Sequence, residues 1–365
     1  MTENAELIVL PGGSLLSRTN QSIVVKLNGA NRVLSTSFLN GGYRDDLLFL
    51  FNYSEVYGAI DGRCEMKAPT NEGHLVALSK LLNLDPAVST GLSTAAKVKL
   101  AVIKTEAYRD FSVTAVVTAG VDYSACRAGD PAQWHENRGR PFFEDPGTIN
   151  ILLFVDAVLT PGALVRSLTV CTEAKVAALQ ELIIPSCSSK GLATGSGTDG
   201  SIIVSNVDSR TQLTNAGPHT KLGELIGKVV KDTVKESLYI EEGFRNYSRS
   251  SLHKRIARLG LTPDYIWSVY QENNLLPNCN ELDFRERLTA LDANDQLIAT
   301  ATLFAYLIDL AHWGLIDAHD AFDLAGEILG YKKPIAFSVK QKELPEQLSN
   351  YLADFLVDKI VRSQV

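Results

Sequence analysis

Residues 191–206, GLATGSGTDGSIIVSN, interleave Gly191, Gly195, Gly197 and Gly200 with hydroxyl side chains and a single carboxylate, Asp199. Glycine lets backbone N–H groups approach a substrate with no Cβ in the way, so those from Gly195 through Gly197 to Thr198 could hold an oxyanion. A carboxylate set among them can act as a general base or orient one. Shortly afterwards, AGPHTKLGELIGKVV places His219 just ahead of Thr220, a natural helix N-cap. The positive end of a helix dipole suits a neutral imidazole, the form that base catalysis needs. Asp199 and His219 are therefore the first candidates for proton transfer.

A phosphate loop would need the lysine of G-x-x-x-x-G-K-[ST], and a dinucleotide fold would need G-x-G-x-x-G; the stretch has neither. A plain β-hairpin accommodates its glycines and β-branched residues but leaves Asp199 without a task. Small polar residues also follow apolar runs in FLNGGYRDD (Asn40, Gly41, Gly42) and VTAGVDYSACRAGD (Thr118, Gly120), and Asn150 opens the run TINILLFVDA. Singly these are turn chemistry; together they mark strand ends where ligands approach sheets. Glu173 and Lys175 stand two apart on a helical pattern and face different ways; they read as a surface pair, although Glu173 could point inward one turn from Thr169.

The 365 residues are 45% hydrophobic and 21% charged, enough apolar material for one large or two modest domains. A net charge of -7 and the lack of a basic run argue against nucleic-acid binding. The start carries no secretion-signal pattern, and Asp309 and His312 interrupt the apolar stretch LIATATLFAYLIDLAHWGLI, so we expect a cytoplasmic protein without membrane attachment. Cysteines 64, 126, 171, 187 and 279 are odd in number, widely spaced and free of C-x-x-C, which predicts reduced, mostly buried thiols. Cys171 or Cys187 could be a nucleophile only if the fold supplied a base. No metal-ligand spacing occurs, and metal assistance stays open.

Positioning falls to elements of two kinds. ELIVL, SIVVKL, RVLSTS and the two arms of KLAVIKTEAYRDFSVTAVVTAG predict strands, the last two joined by a turn at Arg109 and Asp110. EGHLVALSKLLNL, the run after Thr160-Pro161, and the run after Thr220 have helical periods. The fold class expected is α+β: a mixed β-sheet with packed helices over residues 1–240, then a small all-helical domain over 241–365. Residues 239–255 read as a linker or exposed turn.

In this order, LSTSFLNGGYR, LSTAAKV, VVTAGVDYSACRAGD, the Thr-Ile-Asn strand with the Glu-Ala-Lys helix, ATGSGTDGSIIVSN and AGPHTKLGELIGKVV resemble the adenosylcobinamide amidohydrolases of the CbiZ type. The resemblance spans roughly residues 30 to 238 and does not reach the helical domain. It implies an amidohydrolase of corrinoid salvage that splits adenosylcobinamide into adenosylcobyric acid and aminopropanol, with the corrinoid as substrate and no cofactor evident. The alternative is a non-catalytic corrinoid-binding module. The resemblance carries no catalytic set with it; by their own chemistry Asp199, His219 and Thr198 are the catalytic candidates, with Thr198 a nucleophile in one version. Asn40, Gly41, Gly42, Thr118, Gly120, Asn150, Gly195, Gly197, Lys221 and Glu224 would bind the amide-fringed ring. A homo-oligomer is compatible with the sequence, which does not fix the number of subunits.

Overall fold

The computed structural model describes residues 5–55, 66–121, 124–132, 147–241, 251–273, 279–330 and 340–362. Two compact units divide the chain: residues 1–188 with 192–244, and 245–365 with 189–191.

The first unit opens with β1 (Glu6–Val9), β2 (Leu15–Arg18), β3 (Ser22–Lys26), β4 (Asn31–Ser35), β5 (Gly42–Arg44) and β6 (Phe49–Ser54). After α1 (Asn71–Leu81) come β7 (Ser89–Thr94), β8 (Val102–Tyr108), β9 (Phe111–Ala119) and β10 (Ala125–Cys126). The remainder is β11 (Ile149–Val155), β12 (Val158–Leu159), α2 (Pro161–Glu181), β13 (Gly195–Ser196), β14 (Gly200–Asn206), β15 (Gln212–Leu213) and α3 (Lys221–Glu241). The expected mixed sheet is divided, among the described residues, into two large sheets, with two-stranded β10-β13 and β12-β15 beside them. One large sheet has the order β1-β2-β3-β6-β7, the other β5-β4-β14-β11-β9-β8, and each contains one parallel pair, β6 with β7 and β11 with β14.

The sheets pack face to face, because alternate residues of each strand are apolar toward the other sheet. Leu16, Val25, Leu50 and Leu92 of the first meet Val116, Leu152, Phe154, Ile202 and Val204 of the second. Each large side chain buried here contributes about 1.5–3 kcal/mol. On the outer face of the first sheet, Leu75 and Leu78 of α1 cover Phe51 and Tyr53. Helices α2 and α3 pack on each other and on the second sheet, completing an α/β/β/α stack. Their starts follow the sequence: Thr160 caps α2 ahead of Pro161, and the Thr220 hydroxyl accepts from Gly223 N–H at the start of α3.

The glycine-rich stretch is not a hairpin. β13 pairs with β10, whereas β14 runs parallel to β11. Two parallel neighbours need a crossover, and α2 is part of it. Register then sets Thr118, Asn150 and Gly200 abreast in one row across β9, β11 and β14.

The second unit holds α4 (Leu252–Ile256), α5 (Pro263–Asn273), α6 (Glu281–Leu291), α7 (Asp295–His312), α8 (Ala318–Leu329) and α9 (Leu344–Arg362) around Phe284, Phe304, Leu348 and Leu352. Asp309, the charge that interrupts the apolar stretch of α7, receives a two-pronged bond from Arg258 (2.8 and 2.7 Å). Among the described residues, no helix is long and apolar enough to cross a membrane. Of the linker expected over residues 239–255, residues 239–241 belong to α3 and 252–255 to α4, and 242–250 lie outside the described residues.

Candidate active site

Polar residues collect where β6, β7 and β9 end and β11 and β14 begin. Strand alternation puts them there. Asn52 and Ser54 share the inward face of β6 with Leu50, Thr118 that of β9 with Val116, and Asn150 that of β11 with Leu152 and Phe154. The Asn52 amide donates to the Thr118 hydroxyl (2.9 Å). The Asn150 amide donates to Asn52 Oδ1 and to the Ser93 carbonyl, both at 2.9 Å. Asn150 Oδ1 and the Ser54 hydroxyl are buried and have no hydrogen-bond partner among the described residues. An unpaired buried polar group costs about 1–3 kcal/mol, so two at one sheet end form a ready acceptor and donor for a polar ligand.

Beside this network lies the Asp199 loop. The carboxylate accepts from the Ser196 hydroxyl (2.6 Å), Ser196 N–H (3.0 Å), Ile149 N–H (2.9 Å) and the Lys175 ammonium. Lys175 comes from α2, one turn beyond Cys171. Its side chain is 12% exposed and that of Asp199 14%. Two of the glycines now have physical reasons. A Cβ on Gly195 would collide with the Asp199 carboxylate and stand 2.8 Å from Lys175 Nζ. A Cβ on Gly200 would lie 2.9 Å from Asn150 Oδ1 and press into Leu92. At the exposed loop tip, beside Gly197, the Thr198 hydroxyl pairs with that of Thr148 (2.6 Å) and donates to the Gly147 carbonyl (3.2 Å).

The structure thus brings together Asp199, Thr198, Gly195, Gly197, Asn150, Thr118 and Gly120, whose N–H donates to the Thr148 carbonyl (3.2 Å). It does not bring His219 to Asp199. His219 is exposed at the start of α3, where Lys221 bonds Glu224 (2.5 Å) and lies over the Tyr108 ring (4.9 Å). Tyr108 pairs with Phe111 at the far end of β9, seven residues from Thr118, or about 23 Å at ~3.3 Å per residue. His219, Lys221 and Glu224 consequently belong to the opposite end of the sheet.

Asn40 is a loop staple. At φ 50° it donates to the carbonyls of Pro86 and Ser89 (2.7 Å each) and accepts from Arg44 (2.9 Å), near the start of β7 and away from Ser93 at its other end. Gly41 and Gly42 share that turn; Gly42 has φ +82°. A small crevice lined by Gly12, Asn31, Phe154 and Asn206 lies at the far end of β11 and has no titratable side chain in its lining.

The cysteines depart from expectation. Among the described ones only Cys171 is buried, and Cys187 is exposed. Burial pushes the Cys171 thiol up to about 12, which removes the thiolate that a nucleophile requires. We expect Cys171 to resist iodoacetamide at pH 8 in the native protein and to be alkylated in denaturant; peptide mass mapping checks this, and native labelling would contradict the burial argument.

Sequence reading missed Lys175, Asn52, Ser54 and Thr148. Lys175 had a usable signal, since it follows the buried Cys171 by four residues and so shares its inward face. One residue past Ser54, Glu55 accepts from His74 Nε2 (2.8 Å), whose Nδ1 accepts from Lys67 N–H (2.9 Å), and both side chains are nearly buried. Among the described residues, no cluster of three or more His, Cys, Asp or Glu side chains is arranged to hold a metal.

Comparison with known proteins bears on this region of the chain. An uncharacterized protein of Methanocaldococcus jannaschii, MJ1613, is 39% identical over 158 residues, which are 40% of this chain and 61% of the relative. The chain therefore spans less than two thirds of that relative's length. The crystal structure of the PH0078 protein from Pyrococcus horikoshii OT3 matches 66% of this chain and 82% of its own, at 11% identity and a TM-score of 0.28, a level from which no shared fold follows. The model of the family described as CbiZ, adenosylcobinamide amidohydrolase, matches residues 10–246, a span that takes in the Asn52–Asn150–Thr118 network, the Lys175–Asp199 pair and the glycine loop between them. With well over half of its 365 residues matched, the chain belongs to the CbiZ family of adenosylcobinamide amidohydrolases.

Proposed function

We propose that the polar end of the two-sheet sandwich hydrolyses the amide that joins aminopropanol to the corrin ring of adenosylcobinamide, releasing adenosylcobyric acid. The observation that carries this reading is the pair of unsatisfied buried groups, Asn150 Oδ1 and Ser54 Oγ, beside an ion-paired glycine loop. A corrin ring is fringed with amides, and these two groups supply the complementary acceptor and donor for one of them. Thr118 and Gly120 line the β9 side of the same end, and the hydroxyls of Thr198 and Thr148 stand at its rim, able to position the attacking water. Within the Gly195–Thr198 loop, Ser196 N–H is turned to Asp199 (3.0 Å) and Thr198 N–H to Ser196 Oγ (3.5 Å), so in this reading Gly197 N–H is the loop's oxyanion donor.

Asp199 has a different part from the proton acceptor that the sequence suggested. Its four donors fill about the four lone-pair sites a carboxylate offers. It holds Lys175, Ser196 and the first N–H of β11 in place. His219 has no part in this scheme, because it stands at the other end of the sheet. The setting implied is a cytoplasmic corrinoid-salvage reaction with the corrinoid as its small-molecule partner.

The test is direct. Purified protein incubated with adenosylcobinamide, and separately with cobinamide lacking the adenosyl group, should yield adenosylcobyric or cobyric acid and aminopropanol, identified by mass. Corrinoid binding without product would favour a binding module instead; neither binding nor product would remove the assignment.

A further inference from the structure

The geometry points to Lys175 as a catalytic cation of this site, its ammonium donating to the carbonyl oxygen of the scissile amide; this rests on the hydrolytic reading above. An ammonium has three N–H donors, and among the described residues Asp199 is the one acceptor that Lys175 meets. With its side chain only 12% exposed, the other donors are largely withheld from bulk water. Their direction is limited by the loop: Nζ lies so close to Gly195 that even a Cβ there would stand 2.8 Å away. Asp199, tied by three further donors from Ser196 and Ile149, cannot swing off and leaves Lys175 little freedom. The result is a positive charge fixed at the oxyanion loop with donor capacity to spare. Such preorganised donors act most strongly where charge develops in a site shielded from water.

In the step itself, the water oxygen bonds to the amide carbon while the C=O π pair moves onto oxygen, where the Lys175 N–H groups receive it. Collapse restores the C=O bond and breaks C–N, and the proton given up by water ends on the aminopropanol nitrogen. Lys175 remains an ammonium throughout. A purely structural Lys175 would instead serve only to neutralise Asp199.

The two are separated by Lys175→Met, Lys175→Arg and Lys175→Ala, assayed for adenosylcobinamide hydrolysis and, separately, for cobinamide binding. We expect Lys175→Met to lose about 10²–10³-fold in kcat, with the dissociation constant changed only about fivefold or less. Lys175→Ala should regain activity, in a saturable way, on addition of methylammonium, and Lys175→Arg should keep more activity than Lys175→Met. If Lys175→Met fails to melt cooperatively, the amine rescue of Lys175→Ala decides. Wild-type kcat in Lys175→Met, or a soluble, folded Lys175→Ala that methylammonium does not restore, would overturn the proposal. No product from the wild-type protein would instead overturn the hydrolytic reading itself.

Discussion

Asp199→Asn is expected to cost about 100-fold or more in kcat and to destabilise the fold by about 3 kcal/mol, the low end of the ~3–5 kcal/mol range for breaking a buried ion pair from one side. The carboxylate accepts from two backbone N–H groups, a hydroxyl and an ammonium. An amide in its place turns one acceptor into a donor and faces it toward other donors. Lys175 then loses the anion that holds it against Gly195. Because the two side chains act as one unit, the double variant with Lys175→Met should fall little further than either single change. Turnover and urea unfolding of all three, measured side by side, check this. Additive losses would show that Asp199 and Lys175 act separately, and unaltered turnover in Asp199→Asn would remove that carboxylate from the site.

Asn150→Leu should be nearly as damaging, but through binding as well as stability. Leucine fills a similar volume yet supplies no donor for Asn52 Oδ1 or the Ser93 carbonyl. Two stranded acceptors at about 1–3 kcal/mol each give a loss of about 2–6 kcal/mol. It also removes Oδ1, the acceptor proposed to receive the substrate amide N–H. Isothermal titration with cobinamide at a temperature where the variant stays folded should show affinity reduced by about tenfold or more, the ~1.4 kcal/mol equivalent of one well-placed hydrogen bond. Undiminished affinity would place the amide elsewhere.

Much of the first unit was legible because its rules are local. The β-branched runs became β1, β3, β4, β8 and β9, and the caps at Thr160 and Thr220 start α2 and α3 as their side chains dictate. The candidate site was half legible. Asp199, Thr198, Asn150 and Thr118 carried recognisable chemistry in the sequence and do come together. In the sequence Glu173, two residues away, makes Lys175 look like half of a surface pair. Glu173 is exposed, while Lys175 turns inward beside Ala174 and Ala178. Asn52 and Ser54 gave no warning, since polar residues on a half-buried strand look like its solvent face until a second sheet covers them.

Sequence proximity misled once, and the reason is geometric. His219 follows Asp199 by twenty residues. Between them β14, Gly200–Asn206, carries the chain along the sheet by about 20 Å at ~3.3 Å per residue, and nothing brings it back before α3 begins. Extended strands separate near neighbours, while crossovers and sheet packing join distant ones.

The sequence by itself determined the fold class, the helix starts and the ordered set of segments that mark the family, because hydrophobic period, capping and turn preference act over a few residues. It also determined that Gly195 and Gly200 have no Cβ. Only the tertiary structure decided what that absence is for: one clears space for the Lys175–Asp199 pair and the other for the Asn150 amide. Those contacts join a helix, a loop and strands of two sheets, so they exist only once the layers have packed and burial has made each unpaired polar atom costly.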